Sequence, residues 1–366
     1  MPEYLQYRVT ISLLTPLHIG NGRELLHEYD YAIANGKTWR INETALLDAQ
    51  NVKDPRLAEQ LMRAKPAQLL SPADFRPDNV FFRYVLNGVP RSRAEGAQLR
   101  EQLKDPFDRP YLPGSSLKGA LRTALAWHAW QARGLRPDPT QLGRRREWAA
   151  QAYEQRLFGR DPNHDLLRAL QVGDSNPVAP AQLMIVNARV LTRGGKLGSP
   201  IELEALRPEI SLDLALKIDR MLFTEWARRA ELPREGKDWL ERLPQIVQAH
   251  SAEHIRRELT WFGQIDNATR LQDFYRQLSQ AKLGSRQCLL QLGWGTGWED
   301  KTFGSRLQAD QRFLERIISD YRLARGSRKP NDPFPKSRRV AVGFRDGQEY
   351  PATPLGWVLM ELKELT

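Results

Sequence analysis

The chain is poor in the residues that build covalent or metal staples. One cysteine, Cys288, among 366 residues excludes an intramolecular disulfide framework and a thiolate-rich zinc site. Its six histidines are scattered and show no metal-ligand spacing. No apolar run is long enough to cross a bilayer. The opening residues, Met1-Pro-Glu-Tyr-Leu-Gln-Tyr-Arg8, lack the charged and apolar blocks of a signal peptide. The Gly-Lys-Ser/Thr of a nucleotide-hydrolase phosphate loop is missing too, since glycine follows the lysine at Lys118-Gly119. These absences lead us to expect a soluble cytoplasmic protein with no metal, no cofactor and no membrane partner.

What is present is size and positive charge. Length and a hydrophobic fraction of 41% suggest two domains with real cores. The net charge is +11, from 55 basic and 44 acidic residues, which favours a polyanionic partner, most commonly nucleic acid. Arginine far outnumbers lysine. That suits bidentate phosphate binding, but a GC-rich genome would give the same bias.

The most informative stretch is Tyr111-Leu-Pro-Gly-Ser-Ser-Leu-Lys-Gly-Ala-Leu-Arg-Thr-Ala-Leu125. Pro113-Gly114 makes a turn, and Ser115 or Ser116 is expected to cap a helix running from about Ser116 to Arg133. Leu117, Leu121 and Leu125 form one apolar stripe, with Lys118 and Arg122 along its edge. N–H groups, hydroxyls and two cations at a helix mouth could hold a phosphate. A well-capped surface helix with an incidental charge pair would read the same way. Because both cations lie beside the stripe, reversing their charge is expected to leave the fold intact.

Elsewhere strands and helices mix without regular βα alternation, which argues for an α+β fold. Tyr7 to Leu13 alternates as a strand. Glu28 to Ile33 and Thr38 to Ile41 flank the hairpin signal Asn35-Gly36. The region from Asp48 to Asp108 reads as an insertion or a long connection rather than core, and a charged helix is expected from Leu142 to Leu157. Leu183 to Leu191 reads as a buried strand, Ile201 to Leu206 as a half-exposed one, and Pro354 to Leu362 as a final edge strand. Helices are expected from about Lys237 to Leu259, Asp266 to Lys282 and Ala309 to Leu323. Two units, 1–185 and 186–366, fit this pattern best.

Three other segments are candidate sites. Gly293-Trp-Gly-Thr-Gly-Trp-Glu-Asp-Lys301-Thr302 follows a strand; its glycines allow close backbone approach, and Trp294 or Trp298 could stack on a base. The alternative is a tight turn whose tryptophans belong to the core. The basic loop Arg325 to Arg339, including Arg338 and Arg339, is either a solvated linker or a phosphate-backbone contact. His18 and His27 flank Gly20 and Gly22. Either could serve as a general base for a 2′-hydroxyl, but a structural or RNA-contacting histidine is the better reading. Asp30 sits in an alternating strand pattern, which disfavours a metal-holding loop role.

Pro113-Gly-Ser-Ser-Leu-Lys-Gly-Ala-Leu-Arg122 closely resembles a signature of the RAMP superfamily, the RNA-binding proteins of CRISPR effector complexes. Leu14-Thr-Pro-Leu-His-Ile-Gly-Asn-Gly22, Leu157-Phe-Gly159, Val172-Gly-Asp-Ser175, the 293–302 loop and Pro354-Leu-Gly-Trp357 resemble further motifs of that superfamily. The combination is most similar to the family of fifth subunits of the type III-A (Csm) complex. The resemblance implies two ferredoxin-like, RRM-related RAMP domains with helical insertions, and a non-catalytic subunit at the filament end over the 3′ part of the guide RNA. Implied partners are guide RNA, the backbone and small helical subunits of the complex, and host nucleases acting on the guide's 3′ end. RNA would be lined by His18, Gly20, Gly114, Ser115, Ser116, Lys118 and Arg122, and in the second half by Gly293, Gly295, Lys301, Thr302, Arg338 and Arg339. Rival readings are a metal-independent RAMP endoribonuclease using His18 or His27, and a RAMP subunit of a Cmr-type complex. A DNA-binding regulator is disfavoured because no helix-turn-helix with a basic recognition helix stands out.

Overall fold

Period-two alternation buries Val9, Ile11 and Leu13 of the first strand, and this strand organises the molecule. The computed structural model describes residues 3–50, 63–225, 232–233, 235–300, 303–324, 328–329 and 332–365. Its strands are β1 Tyr4–Leu13, β2 Gly20–Leu26, β3 Tyr31–Ala34, β4 Lys37–Ile41, β5 Phe82–Asn87, β6 Gln98–Gln102 and β7 Leu170–Val172. They continue as β8 Leu183–Thr192, β9 Leu197–Leu206, β10 Ser211–Asp219, β11 Gln287–Gln291, β12 Ser337–Arg345, β13 Gln348–Thr353 and β14 Trp357–Glu364. The α-helices used below are α1 Glu43–Asp48, α2 Gly114–Ala132, α3 Gln151–Phe158, α4 Gly236–Glu241, α5 Leu243–Phe262, α6 Thr269–Ser279, α7 Gly304–Leu307 and α8 Gln311–Asp320.

Two sheets result, and the fold is α+β as the mixed pattern predicts. The first is a five-stranded antiparallel sheet in the order β11-β14-β1-β10-β7. The second has nine strands, with β2-β6-β9-β8-β5-β4-β3 as its path and β12 and β13 joined to the far end of β8. Both sheets draw strands from either side of residue 185, which itself lies within β8. The stripe Leu117, Leu121 and Leu125 is fully buried, packing α2 into the core shared with the first sheet.

Several sequence expectations are corrected. The region read as an insertion supplies two interior strands, β5 and β6, with Tyr84, Leu86 and Leu99 buried. The charged helix shrinks to α3, preceded by a single 3-10 turn at Arg146–Trp148. β14 is no edge strand: it pairs with β1 on one side and β11 on the other. Nor is the Ile201 to Leu206 part of β9 half-exposed, since residues 202–206 are all buried. Glu204 is fully buried because Lys104 Nζ at 2.6 Å, the Tyr84 hydroxyl at 2.8 Å and the Gln102 N–H at 3.0 Å satisfy its carboxylate. Asp30 sits in a turn before β3, where Arg23 at 2.8 Å, the Leu26 N–H at 2.8 Å and Arg40 at 3.3 Å occupy its carboxylate.

Candidate nucleic-acid interface

Three segments far apart in sequence meet in a cleft of about 630 Å³: the turn after β1, the first turn of α2, and the loop after β11. The turn after β1 is anchored from below. Leu17 and Leu206 exchange backbone hydrogen bonds at 3.0 and 2.8 Å, and the Ile19 N–H donates to Gln102 Oε1 at 2.9 Å. The glycine loop then locks onto this turn, with the Trp294 N–H donating to the His18 carbonyl at 2.9 Å. Gly293 makes that contact possible: its φ is +73°, and a Cβ there would stand 2.4 Å from the His18 carbonyl oxygen.

The mouth of α2 is built differently from the expectation. The helix starts at Gly114 with Pro113 in the N-cap position, so Ser115 and Ser116 lie inside the first turn and cap nothing. The cap comes from the segment after β7. Asp174 Oδ1 accepts the Gly114 N–H at 2.7 Å, and Ser175 Oγ accepts the Leu112 N–H at 2.9 Å. Gly114 is needed for this docking, since a Cβ would fall 2.3 Å from the Val172 carbonyl oxygen. An aspartate thus takes the first helical N–H that a phosphate would otherwise use.

Of the expected site residues, the cleft gathers His18, Gly20, Ser115, Ser116 and Gly293, and adds Trp294 and Arg100. His18 is buried; its Nδ1 donates to the Glu204 carbonyl at 2.6 Å, which leaves Nε2 as an acceptor beside Gly20. Burial lowers its pKa to about 4, so the ring is neutral and a weak base. His27 lies apart, with Nδ1 at 3.2 Å from the Ala94 carbonyl and its ring against Tyr31. Trp294 has a guanidinium near each of two approaches: Arg100 at 5.5 Å and Arg339 at 4.9 Å from the ring centroid.

The remaining expected residues go elsewhere. Lys118 and Arg122 line a neighbouring hollow shared with α3, with Ser115 on the ridge between the two. Burial depresses the Lys118 pKa. Arg122 is bound at 2.8 Å to Asp165 and 3.3 Å to Glu154, with its guanidinium 4.0 Å from the Phe158 ring centroid. Arg338 and Arg339 belong to β12, not to a solvated loop. Arg338 is partly buried against Glu258, with Nε at 2.7 and 3.0 Å from the two carboxylate oxygens. Gly295 has φ +98° and forms part of a third cleft on the far side of the glycine loop. Lys301 and Thr302 lie outside the described residues.

Sequence reasoning missed Glu204, Gln102 and Lys104, and it carried Asp174 only within the motif Val172-Gly-Asp-Ser175, without its capping role. The alternation in Ile201 to Leu206 placed Glu204 on one strand face, but nothing local showed that this face is buried.

Comparison with known proteins fits this geometry. The family model of the RAMP superfamily matches residues 10–300, which include the turn after β1, all of α2 and most of the glycine loop. The chain belongs to the RAMP superfamily. Among curated relatives, Csm5 of Mycobacterium tuberculosis is 31% identical over 168 residues, covering 42% of this chain and 44% of that protein. Csm5 of Streptococcus thermophilus is 25% identical over 258 residues, covering 63% and 70%. A chain of a type III-A Csm–crRNA–target RNA ternary complex superposes with a TM-score of 0.69 at 23% identity, over 97% of this chain and all of that one. The crystal structure of T. onnurineus Csm5 gives 0.64 at 22% identity, over 95% and 99%. This RAMP protein therefore resembles Csm fifth subunits in sequence and shares their fold, which supports the ferredoxin-like expectation. Among its described residues, no helix is long and apolar enough to cross a membrane.

Proposed function

We propose that this RAMP protein is an RNA-binding, non-catalytic subunit of a type III-A (Csm) effector complex. It caps the backbone filament over the 3′ part of the guide RNA and supports maturation of that end. The observation that carries this reading is the convergence of the three RAMP motifs on one cleft. That cleft offers hydroxyls at Ser115 and Ser116, the acceptor Nε2 of His18 for a 2′-hydroxyl, and the Trp294 face between two arginines. Recognition of this kind follows backbone and shape, which suits a guide whose spacer sequence varies. The weak basicity of the buried His18 speaks against the endoribonuclease alternative, as does the lack of lysine or tyrosine among the described residues that line the cleft. The partners of this reading are guide RNA, the backbone and small helical subunits, and host nucleases acting in the cytoplasm.

The test is co-expression with the neighbouring CRISPR genes and a repeat–spacer array, followed by pull-down and mapping of the RNA ends. A stoichiometric complex whose guide 3′ ends change when this subunit is omitted is expected. A protein that elutes alone, or with RNA that it cuts itself, would overturn the assignment.

A further inference from the structure

Behind the glycine loop lies a second group of titratable side chains, joined to the first cleft through Gln291 and Asp300, which line it. Along α5, His254 and Glu258 are four residues apart and so share one face. Glu299, at the end of the glycine loop, packs against that face. One ring nitrogen of His254 and one carboxylate oxygen each from Glu258 and Glu299 lie within 4.8 Å of one another, the only such grouping found among the described residues. All three side chains are buried, His254 and Glu258 at 3% exposure and Glu299 at 6%.

Hydrogen bonding prepares these groups as ligands. His254 Nε2 faces two acceptors, Asp300 Oδ2 at 3.2 Å and Gln291 Oε1 at 3.1 Å. The Gln291 amide is oriented by its own N–H donation to the Leu355 carbonyl at 2.8 Å, so its oxygen is the atom that meets the imidazole. Nε2 therefore carries the proton, and Nδ1 keeps its lone pair, buried and without a partner. The ring is held against Trp357 at 5.6 Å. A carboxylate on the far nitrogen of a buried imidazole is the arrangement that orients metal-binding histidines. Glu299 likewise has one oxygen fixed, accepting from Gln308 Nε2 at 2.8 Å; the other, Oε2, is buried without a hydrogen bond and faces Arg257 at 3.6 Å and Arg338 at 3.8 Å.

We propose that His254, Glu258 and Glu299 bind a divalent transition-metal ion of the zinc or manganese kind, tying the glycine loop to α5. Metal–ligand bonds of about 2.0–2.2 Å put neighbouring ligand atoms roughly 3.5 Å apart, so a shift of about 1 Å closes the set. One imidazole and two carboxylates suit these ions better than magnesium or calcium, which favour oxygen alone. The site opens through the third cleft, of about 710 Å³, which His254, Glu258 and Glu299 line. Two guanidiniums act against the ion. Arg338 engages both oxygens of Glu258, and Arg257 lies 3.6 Å from Glu299. Arg338 is thus a competitor for Glu258, and that competition separates a metal site from a plain ion-pair network.

The experiment uses tag-free protein, stripped with chelator and titrated with Zn²⁺ alone and with Mn²⁺ alone. Binding is read by calorimetry and bound metal by mass spectrometry. One equivalent per chain is expected, together with a rise in the unfolding temperature. Glu299→Gln should weaken binding at least tenfold. Asp300→Asn, which loses the group orienting His254, should weaken it about ten- to hundredfold. Arg338→Gln, which frees Glu258, should tighten it. Absence of stoichiometric metal in the unaltered protein would overturn the proposal, as would full affinity in a folded Glu299→Gln variant. Arg338→Gln that merely destabilises, with no gain in metal affinity, would assign the cluster to ion pairing alone.

Discussion

Gly293 and Trp294 are the two residues on which the cleft turns, for opposite reasons. Gly293 adopts a left-handed φ of +73° against the His18 carbonyl, where any side chain is both strained and obstructed. Gly293→Ala is expected to cost about 1–3 kcal/mol in denaturant unfolding and to lower RNA retention in the same preparation. Trp294 contributes a π face rather than a charge. Trp294→Ala should cost about 1–3 kcal/mol in affinity for single-stranded RNA, measured by fluorescence anisotropy. Its salt dependence should stay unchanged, because no phosphate contact is removed. A shallower salt slope would instead show that Arg100 or Arg339 had been displaced.

At the level of elements, α2 serves two hollows with one N-terminal turn. Spacing alone treats Lys118 and Arg122 as equivalent cations on one edge, removable without harm. The tertiary structure separates them. Arg122 joins α2 to α3 and to the segment before β7 through Glu154 and Asp165. Arg122→Glu would set three carboxylates together and is expected to destabilise by about 1–2 kcal/mol in urea unfolding. Lys118→Glu makes the cleaner probe of RNA binding in this hollow. Equal loss of stability in the two variants would refute the structural role given to Arg122.

For the molecule as a whole, the buried ionisable groups set a pH dependence. Burial holds His18 at about 4, below the ordinary 6.5, so its neutral form is favoured in the folded state. The unfolded chain then takes up a proton first. Stability conferred by the neutral ring is complete above 6.5 and is lost as pH falls toward 4. His250, lowered by burial to about 3, acts in the same sense. Asp300, raised by burial to about 6, acts in the opposite sense: its contribution improves as pH falls from about 6 toward 3.8. The two histidines, with the buried carboxylates Glu101 and Glu299 whose pKa values are lowered, outweigh Asp300 and give a net loss on acidification. His18→Asn keeps a donor for the Glu204 carbonyl and should flatten the slope between pH 6.5 and 4 by about 1.4 kcal/mol per unit. An unchanged slope in urea titrations across that range would refute this.

The sequence by itself determined what depends on neighbours along the chain. It showed the leucine stripe of α2, the strands β1, β4, β8 and β11, and the Asn35-Gly36 hairpin, where Asn35 and Gly36 both take positive φ. Local periodicity and turn sterics set these features. It also carried the RAMP motifs, and with them most of the residues that line the first cleft. What tertiary structure decided was the fate of polar residues: Glu204 neutralised by Lys104, Arg338 paired with the buried Glu258, Asp174 capping α2, and His254 meeting Glu299. A charged residue reads as exposed until its partner is known, and these partners are 45 to 100 residues away in sequence. The same rule hid β5 and β6, whose Arg83, Arg100 and Glu101 look like surface but pair with Asp108, Glu24 and Lys104. Burial of charge is a pairwise property, and pairing across such distances exists only once the chain has folded.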